Sequence, residues 1–366
     1  MRATKWVSMA GGTAAALLIA ACGSSAGSTS SQPAAAAPAA AASSGQPASS
    51  ASSLAGQTIT LYNGQHEQTT DALVKAFEKQ TGVTVKVRND DEDVLAQQIE
   101  QEGSRSPADV FFTENTPPLA ALDEKGLLSP ITSQALAAVP AAYSAADKDW
   151  VGISARVSVL VYNTDKLKPA QLPKSVLDLA DPQWKGKLDI APSETDFAPI
   201  VTSIAQDKGD AAAVTWLKAL KANAGSHQDP DNETLVANVN KGTTEIGVIN
   251  HYYWYRLRDE LGQSGIHSAL ATFAPGDDGY LLDVSGAAVM KSSQHQAAAE
   301  AFVAFLDSAA GQQVLSQSDS WEYPIASGAS NPALPPLSGY HPRQFSLTQI
   351  GDGSHALTLL QQAGLL

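Results

Sequence analysis

The 366-residue sequence contains a single cysteine, Cys22, so it forms no internal disulfide and builds no multi-cysteine metal site. Basic residues are scarce: 23 Lys and Arg face 37 Asp and Glu, a formal charge of −14 that argues against nucleic acid as a partner. No apolar run is long enough for a membrane span, since the best stretch, Met9 to Ala21, is too short. Internal repeats, a nucleophile elbow, a metalloprotease motif and a Gly-rich phosphate loop are also missing, which argues against an enzyme.

Arg2 and Lys5 ahead of that apolar stretch read as a secretory signal over residues 1–21. Ile19-Ala20-Ala21-Cys22 resembles the lipobox of bacterial lipoproteins, in which the cysteine is lipidated and becomes the first mature residue. Losing the signal leaves 21 basic residues against 37 acidic ones, a charge of −16. Residues 22–56 are, after Cys22, almost entirely Ser, Ala, Gly, Gln and Pro, too polar and small to bury a core, so a flexible tether on the outer face of the cell membrane is expected. The remainder, in a chain 43 % hydrophobic, has material for two moderate cores.

The folded part opens with a strand pattern at Gln57–Tyr62, a helix around Thr70–Gln80 ended by Gly82, a strand at Val83–Val87 and a helix carrying Leu95 and Ile99. The acidic turn Asp90-Asp91-Glu92-Asp93 reads as a cap for that helix, because no EF-hand spacing follows. A strand at Ala108–Phe112 comes next. A second set runs from about Val159 to Leu282, with strands at Lys187–Ile190 and Thr244–Ile249 and helices near Asp210–Ala222 and Thr234–Asn240. A strand at Ala287–Met290, a helix with Phe302, Phe305 and Leu306 on one face and a last helix at Ser354–Leu365 complete the pattern. The alternation predicts an α/β fold with mixed, mainly parallel sheets.

Ligands of such sheets bind beyond the carboxyl ends of the strands. Three polar loops stand there: Asn63-Gly64-Gln65-His66, Thr113-Glu114, and the run from Asn250 through His251, Tyr252, Tyr253 and Trp254 to Tyr255. Imidazole, carboxylate and adjacent phenols suit a hard, highly charged cation, and ferric iron fits best: two phenolates and a carboxylate balance three charges. Each residue also has a plain role, as a surface histidine, a helix cap or packed aromatic core, and at this level both readings stand.

From Ile59 to about Gly364 the chain resembles the periplasmic ferric-ion-binding proteins, a family within the bacterial extracellular solute-binding proteins. The resemblance is carried by Tyr62-Asn63-Gly64-Gln65-His66, by Glu102 to Phe111 (EGSRSPADVF), by Pro182-Gln183-Trp184-Lys185-Gly186, by Asn250-His251-Tyr252-Tyr253-Trp254 and by Ser285-Gly286-Ala287-Ala288-Val289. It implies a two-lobe periplasmic binding protein of type II with ferric iron held by His66, Glu114, Tyr252 and Tyr253. It implies lobes of residues 57–157 with 284–333 and 158–283 with 334–366, a hinge of crossover strands near Ile153–Val161 and Leu282–Ala287, a monomer, and delivery to the permease and ATPase of an iron ABC transporter. Family members often add an anion such as phosphate, held by a small turn, asparagines and an arginine. Asn232, Asn250 and Arg156 resemble those groups, but the turn aligns with Glu194-Thr195-Asp196, whose carboxylates would repel phosphate. Water, carbonate or a direct ligand from Asp196 or Glu194 is expected instead. His251, which stands where the family has Asn, is expected beside the ligands or facing solvent. The rival reading keeps the fold and binds a phosphonate, a polyamine or a ferric chelate of the iron–citrate type.

Overall fold

The computed structural model describes residues 54–343 and 347–366. The expected signal 1–21, Cys22 and the linker up to residue 53 lie outside them. β1 (Thr58–Gly64), α1 (Glu67–Thr81), β2 (Thr84–Asn89), α2 (Glu92–Glu102) and β3 (Val110–Thr113) give the expected alternation, and β1 pairs in parallel with both β2 and β3. On α1, Leu73, Val74 and Phe77 share the buried face. The Phe77 ring meets Phe302 and Phe305 at centroid distances of 5.1 and 5.6 Å, and each such ring withdrawn from water contributes about 2–3 kcal/mol. Gly82, at φ 72°, closes α1 in the left-handed conformation that lets its N–H reach the Glu78 carbonyl. After α3 (Pro117–Glu124), β4 (Leu128–Ser129) and α4 (Ser133–Ala138) the chain enters its longest strand.

That strand, β5 (Val151–Asn163), has thirteen residues, all buried. Its β-branched residues Val151, Ile153, Val157, Val159 and Val161 favour extended backbone. The sequence pattern had started a new set only at Val159. Then follow β6 (Leu188–Asp189), α5 (Ala198–Lys208), α6 (Asp210–Ala224), α7 (Asn232–Lys241), β7 (Ile246–Asn250), α8 (His251–Leu261) and β8 (Ser268–Ala271). The chain ends with β9 (Leu282–Met290), α9 (Gln296–Leu306), α10 (Ala309–Ser316), β10 (Tyr323–Pro324), α11 (Leu347–Ile350) and α12 (Ser354–Ala363), the last packed on α5 and α6.

The strands run β2-β1-β3-β9-β5-β7-β6 across the sheet. Val151–Val157 of β5 pair with β9, and Ser158–Asn163 pair with β7 and β8, so one strand serves two sheet halves. The sheet is mixed, as expected. Among the named strands, parallel pairing is confined to β1 with β2, β1 with β3 and β6 with β7, while β5 and β9 make antiparallel pairs. Antiparallel pairing is therefore commoner here than the β-α alternation suggests, because the two crossing strands do not come from β-α-β units.

Two local expectations are corrected. The Tyr-rich run after β7 is the first turns of α8, not a loop. The acidic turn does place Glu92 and Asp93 in the first turn of α2, but Asp91 makes no side-chain cap, and Glu92 turns inward.

Candidate metal centre

His66 stands between β1 and α1, with its backbone N–H held by Gln65 Oε1 at 2.8 Å. Glu114 follows β3, and Tyr252 and Tyr253 are the second and third residues of α8, which starts at His251 directly after β7. Chain ends of three strands thus deliver four side chains to one place. The Tyr252 hydroxyl donates to Glu114 Oε1 at 2.5 Å, and His66 Nε2 lies 3.3 Å from that same oxygen. The His66 and Tyr252 rings meet edge to face at 5.4 Å, and the Tyr252 and Tyr253 rings at 4.2 Å. His66 Nε2 is buried and has no hydrogen-bond partner, so this ring nitrogen is not committed to another protein group.

The electrostatics suit a cation. Burial works against the Glu114 charge, but His66, Arg156, the Tyr252 hydroxyl and Arg256 outweigh it and hold the carboxyl below its ordinary range. Burial raises Tyr252 and Tyr253 well above the ordinary phenol value, and neighbouring carboxylates, Glu114 and Asp196 among them, add to it. Both phenols therefore keep their protons until something displaces them. Glu114 is the nearest acceptor for the first.

Behind these four side chains lies a buried polar layer. Arg156 and Glu322, both with fully buried side chains, pair at 3.3 Å from Nη1 to Oε1. Arg156 Nη2 also donates to Asn115 Oδ1. Glu322 Oε2 accepts from Gln65 Nε2 at 3.2 Å and from Ser154 Oγ at 2.7 Å. Asn115 in turn donates through its backbone N–H and its Nδ2 to Glu92, at 2.8 and 2.7 Å, and the Thr113 hydroxyl donates to Glu92 as well. Gln65 and Asn115, the chain neighbours of His66 and Glu114, are thereby fixed to one network. Burial, then the Glu114 charge, raises Glu92 to about 7. Gly64 permits this arrangement, because a Cβ there would stand 2.5 Å from Glu92 Cβ.

Glu322 was not singled out from the sequence, and Glu92 was read there only as part of a helix-capping turn. His66, Glu114 and Glu322 each offer an atom within 4.8 Å of the others, but Glu322 is already engaged by Arg156, Ser154 and Gln65. A signal for it existed: an acidic residue beside the apolar Tyr323-Pro324-Ile325-Ala326, matched by Arg156 in the apolar run of β5.

The remaining expected residues fall close by. Asn232 Nδ2 donates to both Asp196 oxygens at 3.0 and 3.1 Å, and Asn250 Nδ2 donates to Oδ2 at 3.0 Å. Asn115 Nδ2 reaches Thr195 Oγ1 at 2.9 Å. Burial and nearby charges, Glu114 included, raise Asp196 to about 7, and burial with Asp196 and Glu233 raises Glu194 to about 8. Arg156 is held by Glu322 and Asn115 rather than standing free. His251 does not face solvent: Nδ1 accepts from the Val157 N–H at 3.2 Å and Nε2 faces the Trp321 carbonyl at 2.8 Å, so the neutral Nε2–H tautomer fits, and burial lowers the ring to about 3.

A family described as bacterial extracellular solute-binding protein matches residues 105–345. The chain is 40 % identical over 313 residues to the Fe(3+)-binding periplasmic protein of Serratia marcescens, covering 85 % of this chain and 92 % of that one. It is also 40 % identical over 324 residues to the major ferric iron-binding protein of Neisseria meningitidis serogroup A, covering 87 % and 96 %. Among solved structures, iron-bound HitA from Pseudomonas aeruginosa is 42 % identical with a TM-score of 0.80, over 84 % of this chain and 99 % of that chain. A Trichodesmium protein (IdiA, FutA) in complex with iron and citrate ligands is 28 % identical with a TM-score of 0.73, over 84 % and 99 %.

Proposed function

The chain belongs to the bacterial extracellular solute-binding proteins, and from that membership we propose that it captures ferric iron on His66, Glu114, Tyr252 and Tyr253 and hands it to an ATP-driven uptake transporter. The observation that carries this reading is the meeting of the Tyr252 hydroxyl and His66 Nε2 on one oxygen of Glu114. Relatives named for ferric iron binding support it over an organic ligand. The protein is a transport component, with a permease and an ATPase as partners.

Two phenolates and one carboxylate match the charge of Fe(III), and neutral imidazole adds a fourth donor. Loading therefore expels the phenol protons, so affinity falls as pH drops. Reduction to Fe(II) weakens binding, because the less charged ion gains less from phenolate oxygen. The lobes are residues 57–157 with 284–333 and 158–283 with 334–366. His66 and Glu114 belong to the first, the tyrosines to the second, and the ion favours the closed form by ligating both. β5 and β9, which link the two sheet halves, are the hinge strands. Cys22 carries the lipid that holds the protein at the outer face of the cell membrane; Cys22→Ser is expected to move it from the membrane fraction to the soluble one.

The deciding experiment adds ferric iron to metal-free protein and records the visible phenolate-to-iron charge-transfer band. Tyr252→Phe and Tyr253→Phe are each expected to weaken or shift it. A spectrum that ignores both substitutions sinks the assignment.

A further inference from the structure

A second cavity, of about 600 Å³, shares no described lining residue with the cleft that opens onto His66 and Glu114. Its size falls within the range of small-molecule sites. α4, the end of α9, α10 and residues 326–330 wall it. Most of its buried polar groups are committed within the chain. Gln312 Nε2 donates to the Ile153 and Leu306 carbonyls at 2.9 and 3.0 Å, and its Oε1 accepts from the Ala326 N–H at 3.1 Å. Ser308 Oγ accepts from the Gly311 N–H at 3.1 Å and donates to the Phe305 carbonyl at 2.7 Å.

Asp307 is the exception. It stands in the joint between α9 and α10, is 2 % exposed, and has no hydrogen-bond partner on either carboxylate oxygen. Among the described lining residues it is the one charged group, with no lysine, arginine or histidine beside it. Burial pushes its carboxyl well above the ordinary value. An acid held this way costs stability, and a cation entering the cavity would supply the partner that the chain does not.

The geometry narrows the cation. Two uncommitted oxygens on one carboxylate match the paired N–H groups of a guanidinium. A guanidinium is also more weakly hydrated than an ammonium, so it loses less on entering a buried site. Ala138, Ala304, Ala309 and Ala329 give an alkyl stem an apolar wall.

We propose that this cavity, separate from the ferric site, binds a guanidinium group bidentately on Asp307, with the attached alkyl stem along the alanines. Both oxygens are covered in this structure, so binding turns the Asp307 side chain toward the cavity by a change of rotamer. A free alkylguanidine and an arginine side chain of another protein present the same group.

The test is calorimetric titration of metal-free full-length protein with ethylguanidinium, propylammonium, and the blocked amino acids acetyl-arginine methylamide and acetyl-lysine methylamide. Guanidinium probes are expected to saturate below about 10 mM and to bind about tenfold tighter than their ammonium counterparts. Asp307→Asn keeps the shape and removes the charge, and is expected to weaken guanidinium binding about tenfold or more. Ala309→Trp, at an exposed position of α10, fills the cavity and leaves Asp307 in place; it is expected to produce a similar loss. Tighter binding of blocked arginine than of ethylguanidinium assigns the site to an arginine of a partner, and the reverse order to a free alkylguanidine. No saturable guanidinium binding, or equal binding of the ammonium probes, overturns the inference. So does an affinity unchanged in Asp307→Asn, which would place the cation elsewhere, as in the acidic cleft. Should that variant fold poorly, undiminished binding by Ala309→Trp overturns the inference in its place.

Discussion

Arg156 on β5 and Glu322 before β10 form an ion pair with no solvent exposure on either side chain, 3.3 Å from Nη1 to Oε1. Through Asn115 and Gln65 the pair reaches the chain neighbours of both His66 and Glu114. It thus fixes two candidate ligands without touching iron. A charge buried without its partner is costly, and Glu322→Ala is expected to destabilise the protein by about 3–5 kcal/mol. Denaturant unfolding of the metal-free protein measures this. A loss under about 1 kcal/mol would mean the pair contributes little.

His251 ties three elements together, joining the start of α8 to the Val157 N–H of β5 and to the Trp321 carbonyl. Among the described residues Trp321 is one of two non-glycine residues with positive φ, at 58°, and its ring stacks on Tyr255 at 5.1 Å. His251→Phe keeps a ring but leaves a backbone donor and an acceptor unpaired, at a cost of about 2–3 kcal/mol. Thermal melts should show the drop, with the charge-transfer band retained at low temperature because His251 is not among the four proposed ligands.

Gly64→Ala is expected to fail locally. The new Cβ would lie 2.5 Å from Glu92 Cβ and 2.8 Å from its Cα, so the start of α2 must move. Overpacking of this kind costs about 1–3 kcal/mol. Because Gly64 is two residues from His66 and Glu92 anchors Asn115, iron affinity should fall along with the melting temperature. Unchanged affinity would separate this layer from the ligands.

The metal-free protein should lose stability as pH rises from 6.5 to about 8. Asp196 and Glu92, at about 7, and Glu194, at about 8, hold protons in the folded state that the unfolded chain releases near its ordinary carboxyl values. Folding is favoured while those protons stay bound and weakened as pH climbs through the folded values, on the order of 1 kcal/mol per pH unit for each proton retained. His251 acts in the opposite direction, but only below its unfolded value of 6.5, down to about 3. Iron affinity should have the reverse slope, rising with pH as the phenols give up protons. Chemical unfolding at a series of pH values, with and without iron, tests both; parallel slopes would refute the linkage.

Much of this was legible in the sequence because the relevant signals are local. Leu73 and Phe77 on one face, Gly82 as a stop and the Asn63-Gly64-Gln65-His66 loop all lie within short windows. The helical start of α8 was missed because five polar and aromatic residues after a strand have no apolar period. The pairing of Arg156 with Glu322 was missed because 166 residues separate them, and only the fold brings them together. Glu92 was read as a cap by its neighbourhood, whereas packing against Thr113 and Asn115 draws it inward.

β5 has a mechanical consequence. It is one continuous strand, paired with β9 along Val151–Val157 with a register shift between Gly152 and Ser154, and with β7 and β8 along Ser158–Asn163, every residue buried. There is no slack loop along it to act as a swivel. The lobe closure proposed above would therefore be shared as torsion along this ribbon and its neighbour β9, rather than concentrated at one flexible link.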